Sequence, residues 1–147
     1  MNPNERPRYA VEIQGGIATL FVDAPDWPSL LSAAILAVSD LVVPVGTFQT
    51  WTARRLAVRG LTPTELLHAA LTSALADWTE GGFLTALVEL DPEQSGRVTA
   101  ILRGGRVDPD DPRPAVDPRG LVPDATSVTP PGGSGGPWRA RLGLALS

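Results

Sequence analysis

The sequence predicts an α+β fold, a largely antiparallel sheet packed by two helices, with an extended Pro/Gly-rich arm at the C-terminus. Three observations carry this. Apolar residues alternate on both sides of Gly15-Gly16, two longer stretches repeat them at helical spacing, and the composition changes abruptly after Gly104-Gly105. The element order reads β-β-α-β-α-β-β within residues 1–107. An extended segment over 108–137 and a terminal strand over 138–147 follow.

Tyr9, Val11 and Ile13 alternate with Ala10, Glu12 and Gln14, the period of a half-buried strand. Gly15-Gly16 supplies the positive φ angles of a tight turn, so Ile17 to Val22 returns as the second strand. Asp26-Trp27-Pro28 opens a helix, because Asp caps and Pro fits the first turn. On a helical wheel Leu30, Leu31, Ala34, Ile35, Val38, Leu41 and Val42 share one side, and Pro44 and Gly46 end the run. The Thr and aromatic content of Thr47 to Arg59 favours a strand. Thr62-Pro63-Thr64-Glu65 has the form of a capping box, with Leu61 and Leu66 placed for a hydrophobic staple. Leu67, Ala70, Leu71, Ala74, Leu75 and Trp78 continue that helix as one stripe, which Gly81-Gly82 closes. Phe83 to Leu90 and Arg97 to Arg103 form a second hairpin across a loop rich in turn formers.

From Asp108 to Pro137 eight prolines and five glycines rule out a helix or a central strand, so an extended linker is expected. Trp138, Ala140, Leu142, Leu144 and Leu146 then alternate with Arg139, Arg141, Gly143 and Ala145, a strand pattern again.

Composition removes several chemistries. All 12 basic residues are arginine, so lysine Schiff bases are impossible, and without cysteine there is no thiolate nucleophile, disulfide or Cys-bound metal. A net charge of -4 provides no field for nucleic acid or anionic lipid. Leu30 to Val45 is interrupted by Ser32, Ser39 and Asp40 and reads as a buried helix rather than a membrane span. Met1 to Arg8 is polar, unlike a signal peptide, so a cytoplasmic or virion location is expected.

The single histidine, His68, lies at the edge of the second helix's stripe with no second His or Cys to complete a ligand set. Asp26 is explained by capping, Asp77 and Glu80 by a solvated helix end. Asp108-Pro109-Asp110-Asp111 lacks the spacing and turn glycine of a calcium loop. No serine has a nucleophile-elbow context, and Gly132-Gly133-Ser134-Gly135-Gly136 reads as a linker. Gly15 to Pro25, GGIATLFVDAP, resembles the opening hairpin of the crotonase (enoyl-CoA hydratase) family. The later oxyanion-hole glycine segments of that family have no counterpart, and no activity is carried over.

The expectation is therefore a non-enzymatic structural or protein-interaction subunit of a multi-protein assembly, with a phage virion or injection machine as the analogy. It has no cofactor, and its partner is a protein or a further copy of itself. The expected interface comprises Trp51, Arg54, Arg55, Trp138, Arg139, Leu142, Leu144 and Leu146, because Trp beside Arg is enriched at binding hot spots and a terminal strand can extend a sheet edge. The alternative is a small intracellular regulatory or accessory module, a monomer with its tail folded back.

Overall fold

The computed structural model describes residues 7–43, 52–91, 95–107, 116–133 and 135–146. The elements are β1 (Arg8–Gln14), β2 (Ile17–Ala24), α1 (Trp27–Val42), β3 (Thr52–Arg59), α2 (Pro63–Gly81), β4 (Phe83–Leu90), β5 (Arg97–Arg106), β6 (Pro118–Leu121), β7 (Ser127–Thr129) and β8 (Trp138–Leu146). The fold is α+β, as the sequence predicts. The strands form two antiparallel sheets: one of five strands, in the order β1-β2-β8-β6 with β7 also on β8, and one of three, β3-β5-β4. Both helices contact strands of both sheets, so they form a layer between them.

The faces of the first sheet follow from the alternation. Ala18, Leu20, Val22 and Ala24 of β2 and Ala140, Leu142 and Leu144 of β8 point to the helices and are buried. Gly15 and Gly16 take φ of 61° and 78°, the mirror-image turn that matches strand twist in a two-residue hairpin. The central stripe of α1, with Leu30, Leu31, Ala34, Ile35 and Val38, and that of α2, with Leu67, Ala70, Leu71 and Leu75, join the same core.

The caps form largely as the residue types dictate. Asp26 accepts from the Ser29 N–H at 2.8 Å, and Thr62 Oγ1 from the Glu65 N–H at 3.2 Å. Glu65 reaches back to the Leu61 N–H at 2.6 Å rather than to that of Thr62. The staple does not form: Leu66 is buried but Leu61 is 94% exposed, because the chain enters α2 with that side chain turned to solvent. The three-stranded sheet is locked to α1 where the Thr85 N–H donates to the buried Ser39 hydroxyl at 2.9 Å. The register of β4 shifts there, between Thr85 and Leu87. Opposite this bulge stands Gly104, where a Cβ would lie 1.8 Å from the Leu84 carbonyl oxygen, so only glycine fits.

Two expectations about the C-terminal third need correction. The segment read as a linker over 108–137 contains, in its described part, β6 and β7, which pair with β8. Proline does not prevent this, because Pro118 is the first residue of a strand at the sheet edge, where no ladder N–H is required of it. The second correction concerns β8, which is an interior strand flanked by β2 on one side and by β6 and β7 on the other. Residues 1–107 therefore do not hold the complete core, since Leu142 and Leu144 belong to it.

Candidate interaction surface

The residues expected to form an interface are dispersed. Trp51 lies outside the described residues. Arg54 and Arg55, adjacent on β3, point to opposite faces of its sheet. Arg54 sits on the helix side with its guanidinium 5.5 Å from the centre of the Phe83 ring, and Arg55 faces solvent. Burial pushes the nearby Asp77 carboxyl up, against the opposing pull of Arg54. Trp138 is half-buried against Trp27, with ring centres 5.9 Å apart, and Arg139 is exposed with Nε 3.6 Å from Asp23. Leu142 and Leu144 are fully buried and Leu146 packs on the same core, because β8 pairs with β2 of its own chain from Trp138 to Ala145. Leu142 and Leu144 present no surface to a neighbour, and Leu146 is only partly exposed.

The exposed apolar surface lies at the other end of the sheet, on β1. The register Tyr9↔Val22, Val11↔Leu20, Ile13↔Ala18 places Tyr9, Val11 and Ile13 on the helix-facing side, beside buried partners. They nevertheless remain 42%, 37% and 53% exposed. The cause is lateral position. β1 is the edge strand of its sheet, and α1 meets it only in part, so the inner face of this strand stays partly open beside a slot. The slot measures about 640 Å³. Tyr9 forms one wall, Ser32, Ala33 and Leu36 on the flank of α1 form the floor, and Val88 and Leu90 of β4 form the other wall.

Arg8, Ser29 and Asp40 also line the slot, and the Tyr9 hydroxyl donates to Asp40 Oδ2 at the far end of α1. Partial burial, and then the hydrogen bond to Asp40 and its charge, push the phenol pKa up from 10.0 to about 12. Pro28 also borders a separate groove of about 450 Å³, where Trp27, Trp138 and Leu66 meet Gly60, Pro63 and Arg97. The sequence signal for the slot was present in Tyr9, Val11 and Ile13 and in Leu36, an apolar residue outside the main stripe of α1. What it lacked was the knowledge that α1 covers β1 only in part.

Elsewhere the surface offers less. His68 is exposed, with Nδ1 3.5 Å from Thr126 Oγ1. Among the described residues no group of three or more His, Asp or Glu side chains is placed to hold a metal ion, and no helix is long and apolar enough to cross a membrane.

This architecture is similar to that of Methanobacterium thermoautotrophicum protein 1598, known from a solution structure. The TM-score is 0.67 at 16% identity, over 94% of this chain and 98% of that one. At that identity the likeness is one of fold. No protein-family model matches the chain, and neither does any curated protein.

Proposed function

We propose that this protein is a non-enzymatic interaction subunit that engages another protein through the free edge of β1 and the apolar slot beside it. The observation that carries this reading is the exposure of Tyr9, Val11 and Ile13 on the face of the sheet that is otherwise buried. An edge strand with unpaired backbone groups and an apolar inner face is a template for strand addition, with side-chain pockets on the same side to supply selectivity. The expectation of a subunit in an assembly is kept, and its contact moves from the C-terminal strand to β1.

A second reading, a monomeric accessory module with its tail folded back, draws support from the pairing of β8 with β2 of the same chain. Photocrosslinking separates the two. A benzophenone side chain at Ile13, activated in cells that make the protein, is expected to yield a discrete protein adduct, with the same probe at exposed Arg55 as control. No adduct at Ile13 beyond that control would exclude docking through β1.

A further inference from the structure

Resting on the reading that β1 is the docking edge, we infer that its occupant is β1 of a second copy. The strands pair antiparallel about a two-fold axis at Ala10, with Arg8 of each copy opposite Glu12 of the other.

The exposed edges differ in ways that select β1. The edge strand β3 carries Arg54, Arg55 and Arg59, and β4 is bulged and bears Glu89. β6 begins at Pro118 with a register shift, and β7 has 3 residues. Each of these is a recognised way to blunt an edge. β1 is a strand of 7 residues in unbroken register with β2, with no proline and no inward-pointing charge.

The hairpin geometry then fixes which backbone groups are free. A two-residue turn makes Gln14 and Ile17 a hydrogen-bonded pair, and bonding alternates along an antiparallel ladder. Gln14, Glu12, Ala10 and Arg8 are thus committed to β2, leaving the N–H and C=O groups of Tyr9, Val11 and Ile13 directed outward. A second antiparallel strand must bond those same odd-numbered residues, which restricts a symmetric pair to centres on single residues of β1.

Charge decides among the centres. Centring on Glu12 opposes Glu12 to itself, and centring on Val11 sets Glu12 against Ala10 and Arg8 against Gln14. Centring on Ala10 opposes Arg8 to Glu12 twice and Tyr9 to Val11 twice, the latter an aromatic and β-branched pairing that stabilises sheets. Among the described residues no ion pair engages Arg8 or Glu12 within the chain. Across the outer face the row then runs Arg139, Asp23, Arg8 and Glu12 of the second copy, alternating in sign from strand to strand. The result is one continuous sheet through both copies, with their apolar slots on the same side. Strand pairing alone is a small interface, so the dimer is concentration-dependent rather than permanent.

Sedimentation of the full chain over a concentration series tests this, with circular dichroism to verify folding of each variant. Wild type is expected to pass from monomer to dimer. Arg8→Glu and Glu12→Arg, each of which sets like charges opposite one another, are expected to weaken the dimer by roughly tenfold or more. An equimolar mixture of the two variants restores opposite charges at both positions and is expected to recover wild-type affinity as a heterodimer. Val11→Pro removes an N–H directed away from β2, so the chain folds but does not pair. A wild-type chain that stays monomeric up to its solubility limit, or a dimer unmoved by either charge reversal, overturns the inference. If such a monomer still yields a heterologous adduct at Ile13, the docking reading stands without self-pairing. If it yields none, both fall.

Discussion

β1 and β8 carry the same period-two apolar pattern, lie in the same sheet and meet opposite fates. Leu142 and Leu144 of β8 are 0% exposed, whereas Val11 and Ile13 of β1 are 37% and 53% exposed. Both sets face the helices, so alternation states correctly which side of a strand is apolar. It does not state whether anything lies over that side. That is set by lateral position: β8 is interior with strands on both sides, and β1 is the last strand, which α1 covers only in part. A proline-rich spacer followed by an alternating apolar segment points to the C-terminal strand as the sticky surface. The fold places the free apolar face at the N-terminal strand instead.

The harshest way to break this comparison is to remove β8. A chain ending at Val107 loses the interior strand and the leucines that complete the core, so it is expected to be unfolded, with no dispersion in its amide NMR spectrum. A folded, soluble fragment would show that β8 is dispensable and return it to the role of an arm.

The central strand of the second sheet, where Gly104 of β5 faces the β4 bulge, offers the next test. Gly104→Ala drives a methyl group into the Leu84 carbonyl, and a loss on the order of 4 kcal/mol is expected from urea unfolding. A loss below about 1 kcal/mol would mean that the β4 bulge adjusts freely.

The comparison is sharpened by matched truncations on the two strands. Leu142→Ala opens a core cavity and is expected to cost about 2–5 kcal/mol. Val11→Ala, measured at concentrations where the chain is monomeric, is expected to stay within about 0.5 kcal/mol of wild type. Equal losses would place Val11 under cover.

The smallest effect is electrostatic. Tyr9 is the single tyrosine of the chain, so phenolate absorbance reports it alone. Its pKa is raised on folding, so the folded chain holds the proton more tightly. Its contribution is complete below pH 10.0 and is lost as pH rises toward about 12. A titration midpoint near 12 in the native chain, returning to the ordinary value in urea, is expected. A native midpoint at the ordinary value would mean that Tyr9 does not close the end of the slot onto Asp40.

Much of the fold was legible because it rests on short-range chemistry. Asp26 and Thr62 mark helix starts, Gly15-Gly16 and Gly82 demand positive φ, and each strand's alternation fixes its faces. What escaped depends on contacts distant in sequence. The division into two sheets is one example, and the recruitment of Pro118–Leu121 and Ser127–Thr129 as edge strands is another, where proline content argues against a helix or a central strand and points to an extended linker. At the candidate surface the apolar residues were visible but their exposure was not, and Arg54 and Arg55 were grouped although adjacent strand residues point to opposite faces.

The interior position of β8 also bears on how the molecule comes to be folded. β2 meets β1 within a few residues, yet its other side waits for a strand at the opposite end of the chain, and even the nearest-spaced pair, Ala24 with Trp138, spans most of the sequence. Loop closure over such a distance precedes any gain from the contacts it allows, which slows folding. Until β8 arrives, the hairpin has two open edges and Ala18, Leu20 and Val22 lack their neighbours. The first hairpin is thus the part of the nascent chain with the longest exposure to misassembly, and the final strand is the step that ends it.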